Sequence, residues 1–507
     1  MSRIQVTDLT FCYEGSFDDI FEQVSFAFDS DWRLGLIGRN GKGKTTFLKL
    51  LLGEYAYAGD ISSPVRFDYF PYEIPGERTA HCASEFLQEL KGGCEEWRVI
   101  CELSKLNASA ELLYRPFGSL SHGERTKVLL AVLFSGENDF LLVDEPTNHL
   151  DQAARETVKQ YLKGKRSFLL VSHDRDLLDA CVDHVLVLNR KSIEVQNGNF
   201  SVWWENKARR DHFAEAENEK HRREIASLRR AVDQSGRWAQ KNENTKIGFD
   251  PAREPDRCKG TRPYIGAKTK KMQKRVKSYE RRMEREIEAK EGLLEDLERP
   301  VPLRLYPLSY HKERLILAKE LSAGYAGSGR DVLEGFSFEL KQGERVFLHG
   351  ENGCGKSTFL KVILGRAGRP EEGVRIRSGE LLVGSGLVIS YIDQDTGFLK
   401  GNIPDFCRKR GLDESLFCAL LRQLDLERVQ FAKGMEEFSE GQKKKVLIAA
   451  SLATPAHLYL WDEPLNYIDV FSRMQIEELL TAVRPTMLVV EHDVRFRETV
   501  ATRVVEM

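Results

Sequence analysis

Two segments of this chain place glycines, a lysine and a hydroxyl at the same spacing. They are Gly38-Arg-Asn40-Gly41-Lys-Gly43-Lys44-Thr45-Thr46 and Gly350-Glu-Asn352-Gly353-Cys-Gly355-Lys356-Ser357-Thr358. Glycines at these points let successive backbone N–H groups wrap a chain of phosphates, and the helix N-terminus that follows adds its positive dipole end. Lys44 and Lys356 then reach the β- and γ-phosphates of ATP, and Thr45 and Ser357 turn a hydroxyl toward Mg²⁺. Asp144 and Asp462 end apolar runs and set a carboxylate beside that cation. The adjoining Glu145 and Glu463 can orient an attacking water or take its proton. His173 and His492 close the next strand in each copy, within reach of a γ-phosphate. The chemistry implied is ATP hydrolysis, laid out twice.

Each copy also holds a Ser-x-Gly segment some twenty residues before its Asp-Glu pair: Ser121-His-Gly123-Glu and Ser439-Glu-Gly441-Gln. Each precedes a helical run, so its small residues and amides offer a second anion cradle. Tyr13 and Tyr325 are candidates for stacking on adenine, or else ordinary strand aromatics.

Positioning these groups requires an α/β fold with phosphate loops between strand and helix. Arg33-Leu-Gly-Leu-Ile37, Phe140-Leu-Leu-Val143 and Ser167-Phe-Leu-Leu-Val171 are continuous apolar runs, as are Arg345–Leu348, His457–Trp461 and Thr486–Val490. Such runs suit strands of a mainly parallel sheet covered on both faces. Lys44 to Lys356 is an offset of 312 and Glu145 to Glu463 one of 318, so the repeat holds its register. The expected organisation is a first domain over 1–204, a helical insert over 205–300 and a second domain over 301–507.

The net charge of −2 conceals a split. Between Arg229 and Arg282 there are 17 Lys/Arg against 6 Asp/Glu. A net-acidic body with one basic projection suggests an anionic partner. Helical steps in 201–234 (Phe213, Ile225, Leu228, Val232) and 267–298 (Met272, Val276, Tyr279, Met283, Ile287, Leu294, Leu297) predict two coiled-coil arms. Glycines and prolines over 235–266 predict a reversal between them, giving an antiparallel hairpin arm of roughly 45 Å. The basic and aromatic residues at and below its tip are candidates for RNA contact: Arg237, Trp238, Lys241, Lys246, Arg253, Arg257, Lys259, Arg262, Tyr264, Lys268, Lys270, Lys271, Lys274 and Arg275. Nine cysteines without Cys-x-x-Cys spacing argue against a zinc or redox pair and fit a reducing cytoplasm. No apolar stretch approaches the ~20 residues that span a bilayer.

The Ser-x-Gly segments in this order resemble the signature loop of the ATP-binding-cassette superfamily. Asp144-Glu-Pro-Thr-Asn-His-Leu-Asp151, two cassettes on one chain, the hairpin between them and Gly198-Asn-Phe200 leading into it resemble the soluble ABC-F subfamily. The second motif, Asp462-Glu-Pro-Leu-Asn-Tyr-Ile-Asp469, with Ser439-Glu-Gly-Gln-Lys-Lys-Lys-Val, looks like its Lsa/Vga-type antibiotic-resistance branch. The resemblance implies a monomer whose cassettes pair internally, each signature loop closing on ATP held by the other. It implies a 70S ribosome as partner, with 23S rRNA and P-site tRNA near the arm, and protection from lincosamides, pleuromutilins and streptogramin A compounds. A housekeeping translation factor and the ATPase subunit of a membrane exporter are the alternatives.

The copies also depart from one another. Gln394, expected to sense Mg²⁺ and water, has Tyr72 at the matching place in the first copy, and Phe438, Leu465 and Tyr467 replace the usual leucine, threonine and histidine. The two sites are therefore expected to turn over unequally, the Lys44 site more slowly.

Overall fold

The computed structural model describes residues 3–13, 19–136, 139–148, 150–188, 193–244, 270–271, 274–279, 281–283, 285, 303–325, 331–351, 353–368 and 373–507. Side chains after 234 on the long helix are described only at Arg237. The chain divides into two compact units, one of residues 1–203 with 300–507 and one of residues 204–299.

The larger unit contains both repeats, and each is α/β. In the first, a six-stranded sheet runs in the order Arg66–Phe70, Asp139–Asp144, Phe168–Val171, Arg33–Gly38, His184–Leu188, Ile193–Asn197, all parallel except the last. An antiparallel sheet of Phe21–Asp29, Arg3–Phe11 and Ala58–Ser62 accompanies it. The second repeat has a parallel sheet of Ile389–Ile392, Leu458–Asp462, Met487–Val490, Arg345–His349 and Arg503–Glu506. Its antiparallel sheet is Leu333–Lys341, Arg314–Tyr325 and Val374–Val383.

The apolar runs are buried on both faces because successive side chains serve different cores. On Leu458–Asp462, Leu458 and Leu460 join a core with Phe338, Phe359 and Leu360. Tyr459 and Trp461 point the other way, into a helical core with Phe417, Met435 and Val446. The Trp461 indole N–H donates to Ser451 Oγ over 2.9 Å, so its burial leaves no polar atom stranded. Truncating either leucine would cost about 2–5 kcal/mol. This packing fixes the strand whose C-terminal end delivers Asp462 and Glu463.

A helix runs from Phe200 to Asn244, and its residues from Trp204 onward belong to the smaller unit. The break expected from Gly236 does not occur. One glycine costs a helix only about 1 kcal/mol against alanine, and the flanking residues are good helix formers. Described residues between Lys270 and Arg285 are helical as well. Ile225 and Met283 are buried, but Phe213 and Tyr279, expected on the apolar stripes, are exposed. The expected reversal, and with it Lys246, Arg253, Arg257, Lys259, Arg262, Tyr264 and Lys268, lies outside the described residues, as do Met272, Ile287, Leu294, Leu297 and the side chains of Trp238 and Lys241.

Candidate functional site

Both phosphate loops connect a buried strand to a helix, Arg33–Gly38 to Lys44–Leu52 and Arg345–His349 to Lys356–Arg366. Gly43 and Gly355 cap these helices at φ 86° and 105°, which L side chains seldom adopt. A Cβ on Gly43 would lie 2.6 Å from Ile20 Cγ2, so space forbids one too.

The loop lysines fold back over their own loops. Lys44 Nζ donates to the carbonyls of Gly38 (2.7 Å) and Arg39 (3.2 Å) and to Asn40 Oδ1 (3.2 Å). Lys356 Nζ donates to the carbonyls of Gly350 (2.8 Å) and Glu351 (2.7 Å). Asn352 lies outside the described residues. The Tyr13 hydroxyl is 2.8 Å from Thr46 Oγ1, and that of Tyr325 is 3.4 Å from Thr358 Oγ1. Each tyrosine thus edges its loop with its ring partly exposed.

The Asp-Glu pairs stand at matching points but in different surroundings. Glu145 (φ 50°) and Glu463 (φ 46°) are both left-handed, a strain of about 1–3 kcal/mol that each strand end holds in place. Asp144 Oδ2 accepts from Thr45 Oγ1 (3.0 Å) and from the Tyr69 hydroxyl (3.2 Å). Tyr72, at the place that matches Gln394, instead donates its hydroxyl to Asp68 (2.7 Å). Burial, reinforced by Asp144, pushes the Glu145 carboxyl up to about 8. His173 Nε2 lies 3.3 Å from Glu145 Oε1, and burial beside Lys44 and Arg473 holds this imidazole far below its ordinary pKa.

In the second repeat, Glu463 Oε2 accepts from Asn466 Nδ2 (2.7 Å) and Gln394 Nε2 (3.0 Å), and His492 Nε2 lies 3.6 Å from Oε1. Burial opposes its ionisation, but His492 and Lys444 outweigh that and hold the carboxyl below its ordinary value. Burial pushes Asp462 up to about 6. Both Asp462 oxygens are buried without a hydrogen-bond partner among the described residues. Such oxygens are costly unless a cation or donor meets them, so the strand end fits Mg²⁺.

Ser121 and Ser439 cap the helices His122–Leu133 and Glu440–Ala453, each in a reciprocal capping box with Glu124 or Gln442. The two repeats meet at these elements. Asn40 Nδ2 donates to the Tyr467 carbonyl (2.7 Å), and a Cβ on Gly441 would lie 3.3 Å from that same Asn40 nitrogen. Arg39 pairs with Asp425, Lys42 with Glu427 (3.3 Å), and buried Arg175 with buried Glu477. At the other loop a cleft of about 460 Å³ is lined by Tyr325, Gly353, Gly355, Lys356, Ser357, Thr358, Gln394, Glu463, Asn466 and His492, with Leu150 and Arg155 entering from the first repeat. Ser121 and Gly123 are not part of that lining.

Sequence reasoning passed over Tyr69, Asn466, Arg155 and Arg473. Period-two alternation along Arg66–Phe70 could have flagged Tyr69, and the 318 offset common to Arg155 and Arg473 could have flagged those two. In the smaller unit, Arg237, Lys270, Lys271, Lys274 and Arg275 are exposed. Lys274, Lys277, Arg281, Arg282 and Arg285 surround one groove there, and only Lys274 was among the residues chosen from sequence.

The family model described as ABC transporter matches residues 21–148 and 333–466. The chain is 27% identical to the ribosome protection protein VmlR of Bacillus subtilis, covering 97% of this chain and 85% of that protein. It is 26% identical to the ATP-binding protein Uup of Caulobacter vibrioides (96% and 74%) and 28% to the probable ATP-binding protein YheS of Escherichia coli K12 (94% and 74%). Among solved structures, the RNase-L inhibitor superposes with a TM-score of 0.59 at 19% identity, over 99% of this chain and 87% of that one. The archaeal ribosome recycling factor aABCE1, in complex with ribosomal stalk protein aP1, gives 0.58 at 19%, over 98% and 87%. These two support the two-domain fold alone. No helix among the described residues is long and apolar enough to cross a membrane. The chain belongs to the ABC transporter family, as an ABC-F ATPase with two tandem ATP-binding domains.

Proposed function

We propose that this chain is a cytoplasmic, monomeric ribosome-binding ATPase that protects ribosomes from lincosamide, pleuromutilin and streptogramin A drugs. Its domains are 1–204 and 301–507, joined by a helical hairpin over 205–300. ATP closes the two domains on each other, closure carries the hairpin toward the peptidyl-transferase centre beside P-site tRNA, and hydrolysis releases it. The observation that carries this reading is the joining of the two nucleotide sites through residues of both domains, with Asn40 on Tyr467 at one and Arg155 in the cleft of the other.

Lys44 and Lys356 exchange their carbonyl partners for the β- and γ-phosphates of ATP. The Gly38–Thr46 and Gly350–Thr358 loops bind the phosphate chain through backbone N–H groups, and Tyr13 and Tyr325 flank adenine. Ser121 with Gly123, and Ser439 with Gly441, contact the ATP held by the opposite domain. Thr45 with Asp144, and Ser357 with Asp462 and Gln394, would hold Mg²⁺, which neutralises charge on the β- and γ-phosphates when bound. Glu145 and Glu463 take the proton of the attacking water, and His173 and His492, held neutral or beside a carboxylate, contact the γ-phosphate.

Basic residues of the smaller unit support an rRNA or tRNA partner, since phosphates are met by clustered Lys and Arg. The similarity to VmlR, named as a ribosome protection protein, supports the protection reading. A housekeeping translation factor of the same fold is the second reading. Expression in a susceptible Gram-positive host separates the two. Reduced inhibition by lincomycin, tiamulin and virginiamycin M, with erythromycin and linezolid unchanged, supports protection. Unchanged inhibition by all five moves the assignment to the translation factor.

A further inference from the structure

We infer that Arg155, carried by the first domain, ligates the γ-phosphate of the ATP held in the second domain's Lys356 loop. The inference rests on the nucleotide-site reading above and adds a cross-domain ligand outside the signature loop.

Arg155 lies on the helix Gln152–Lys163, which Asp151 caps by accepting from Ala154 N over 2.8 Å. Its Nε donates to the Leu150 carbonyl (2.9 Å), which anchors the side chain and leaves both terminal nitrogens available. Among the described residues, no other hydrogen bond or ion pair of Arg155 is formed. The residue lines the cleft together with Lys356, Ser357, Gln394, Glu463 and His492. Its charge acts on Glu463 of the second domain and helps to hold that carboxyl low. Arg155 also lines a second, smaller cleft with Asp174, Asp176 and His492, and its charge acts on Asp174 as well as on Glu463.

The counterpart in the second domain shows what makes Arg155 different. Arg473 makes the same anchoring bond, Nε to the Ile468 carbonyl at 2.9 Å. Each of its terminal nitrogens already donates inside the domain, to Asp493 Oδ2 (2.9 Å) and to the Leu465 carbonyl (3.0 Å), and it is 6% exposed. Asp174 matches Asp493 in place and in capping its own helix, yet forms no ion pair with Arg155 among the described residues. One frame thus holds one arginine whose terminal nitrogens are bonded within its own domain and one whose terminal nitrogens form no such bond among the described residues, in a cleft shared with a phosphate loop. A planar fork of this kind suits two oxygens of a phosphate, and a terminal phosphate offers more charge and more free oxygens than a bridging one.

The test uses the full chain carrying Lys44→Ala, which confines nucleotide to the Lys356 loop, and measures binding of ADP and of the non-hydrolysable analogue AMP-PNP with Mg²⁺. Adding Arg155→Ala should weaken AMP-PNP about tenfold or more, as removal of one charge-assisted hydrogen bond to phosphate requires, and leave ADP within about twofold. Arg155→Lys should recover part of the affinity. Retained ADP binding reports that the variant is folded, a readout that a structural role for Arg155 would not spare. Parallel weakening of both nucleotides, or no change in either, overturns the inference alone. Failure of the Lys44→Ala parent to bind either nucleotide overturns the loop assignment and the inference together.

Discussion

Asn40, in the phosphate loop of the first domain, donates its side-chain N–H to the main-chain carbonyl of Tyr467 in the second over 2.7 Å. The same carbonyl stands 2.7 Å from where a Cβ on the signature glycine Gly441 would sit. Phosphate loop, signature loop and the segment after Asp462-Glu463 therefore meet at one point. A nucleotide bound at the Lys44 loop would thus lie one side chain, that of Asn40, from the other domain.

That meeting point makes the two signature glycines unequal. Gly441→Ala places a methyl against backbone, which cannot yield without moving Tyr467 or Asn40. Gly123→Ala meets only Ala154 Cβ at 3.7 Å and Leu150 Cδ2 at 3.8 Å, ordinary packing distances. Phosphate release by Gly441→Ala should fall about tenfold or more, consistent with a penalty of about 1.4 kcal/mol on closure, while Gly123→Ala stays within about threefold. Similar falls in both would show that the asymmetry has no consequence for turnover.

The two glutamates predict different pH profiles. A carboxyl raised to about 8 is protonated at neutral pH and cannot accept a proton from water, so turnover that depends on Glu145 should climb as pH passes 8. Glu463 is held below the usual carboxylate range and is ionised throughout. In the Glu463→Gln protein, phosphate release should rise several-fold between pH 6.5 and 8.5. In Glu145→Gln it should be nearly flat from pH 7 to 9. At pH 7 the Lys44 site should be the slower one. Superimposable profiles would remove the inequality.

Arg175 and Glu477 form an ion pair across the domains, both buried. Removing one partner strands the other charge, at a cost of about 3–5 kcal/mol, whereas replacing both with apolar residues of similar size costs far less. Glu477→Ala should therefore lower the thermal midpoint markedly, and Arg175→Met with Glu477→Leu should recover most of it. Additive effects of the single and double changes would show that the pair is not coupled.

The chemical groups were legible in the sequence because they lie within short segments of fixed spacing: the phosphate loops, the Asp-Glu pairs and the capped Ser-x-Gly turns. Their surroundings were not. Tyr72 matches Gln394 in alignment, yet its hydroxyl goes to Asp68, and Tyr69, three residues earlier, reaches Asp144. A strand turns alternate side chains to opposite faces, so a match in position does not by itself fix which hydroxyl meets the site. Arg155 and Arg473 occupy matching places in the repeat but differ in partner: Asp493 forms an ion pair with Arg473, whereas among the described residues Asp174 acts on Arg155 only through its charge. Such differences arise from packing between elements far apart in the chain. Gly236 misled for a related reason, since a single helix-weakening residue does not outweigh the long helix around it.

The basic groove of the smaller unit has its own signature. Lys274, Lys277, Arg281 and Arg285 recur at helical spacing along one face. Changing all four to Gln should weaken ribosome binding and flatten its dependence on log salt by roughly 0.7–0.9 for each phosphate no longer neutralised. Affinity for ATP should be unchanged. An unaltered salt slope would remove this face from the RNA interface.

The most direct measurement of the proposed clamp is co-sedimentation of the full chain carrying Glu145→Gln and Glu463→Gln with 70S ribosomes, in ATP and in ADP. Near-stoichiometric pelleting is expected with ATP and little with ADP, because the γ-phosphate adds the cross-domain contacts that tip the chain to its closed form. Equal pelleting in both nucleotides, or none in either, would contradict it.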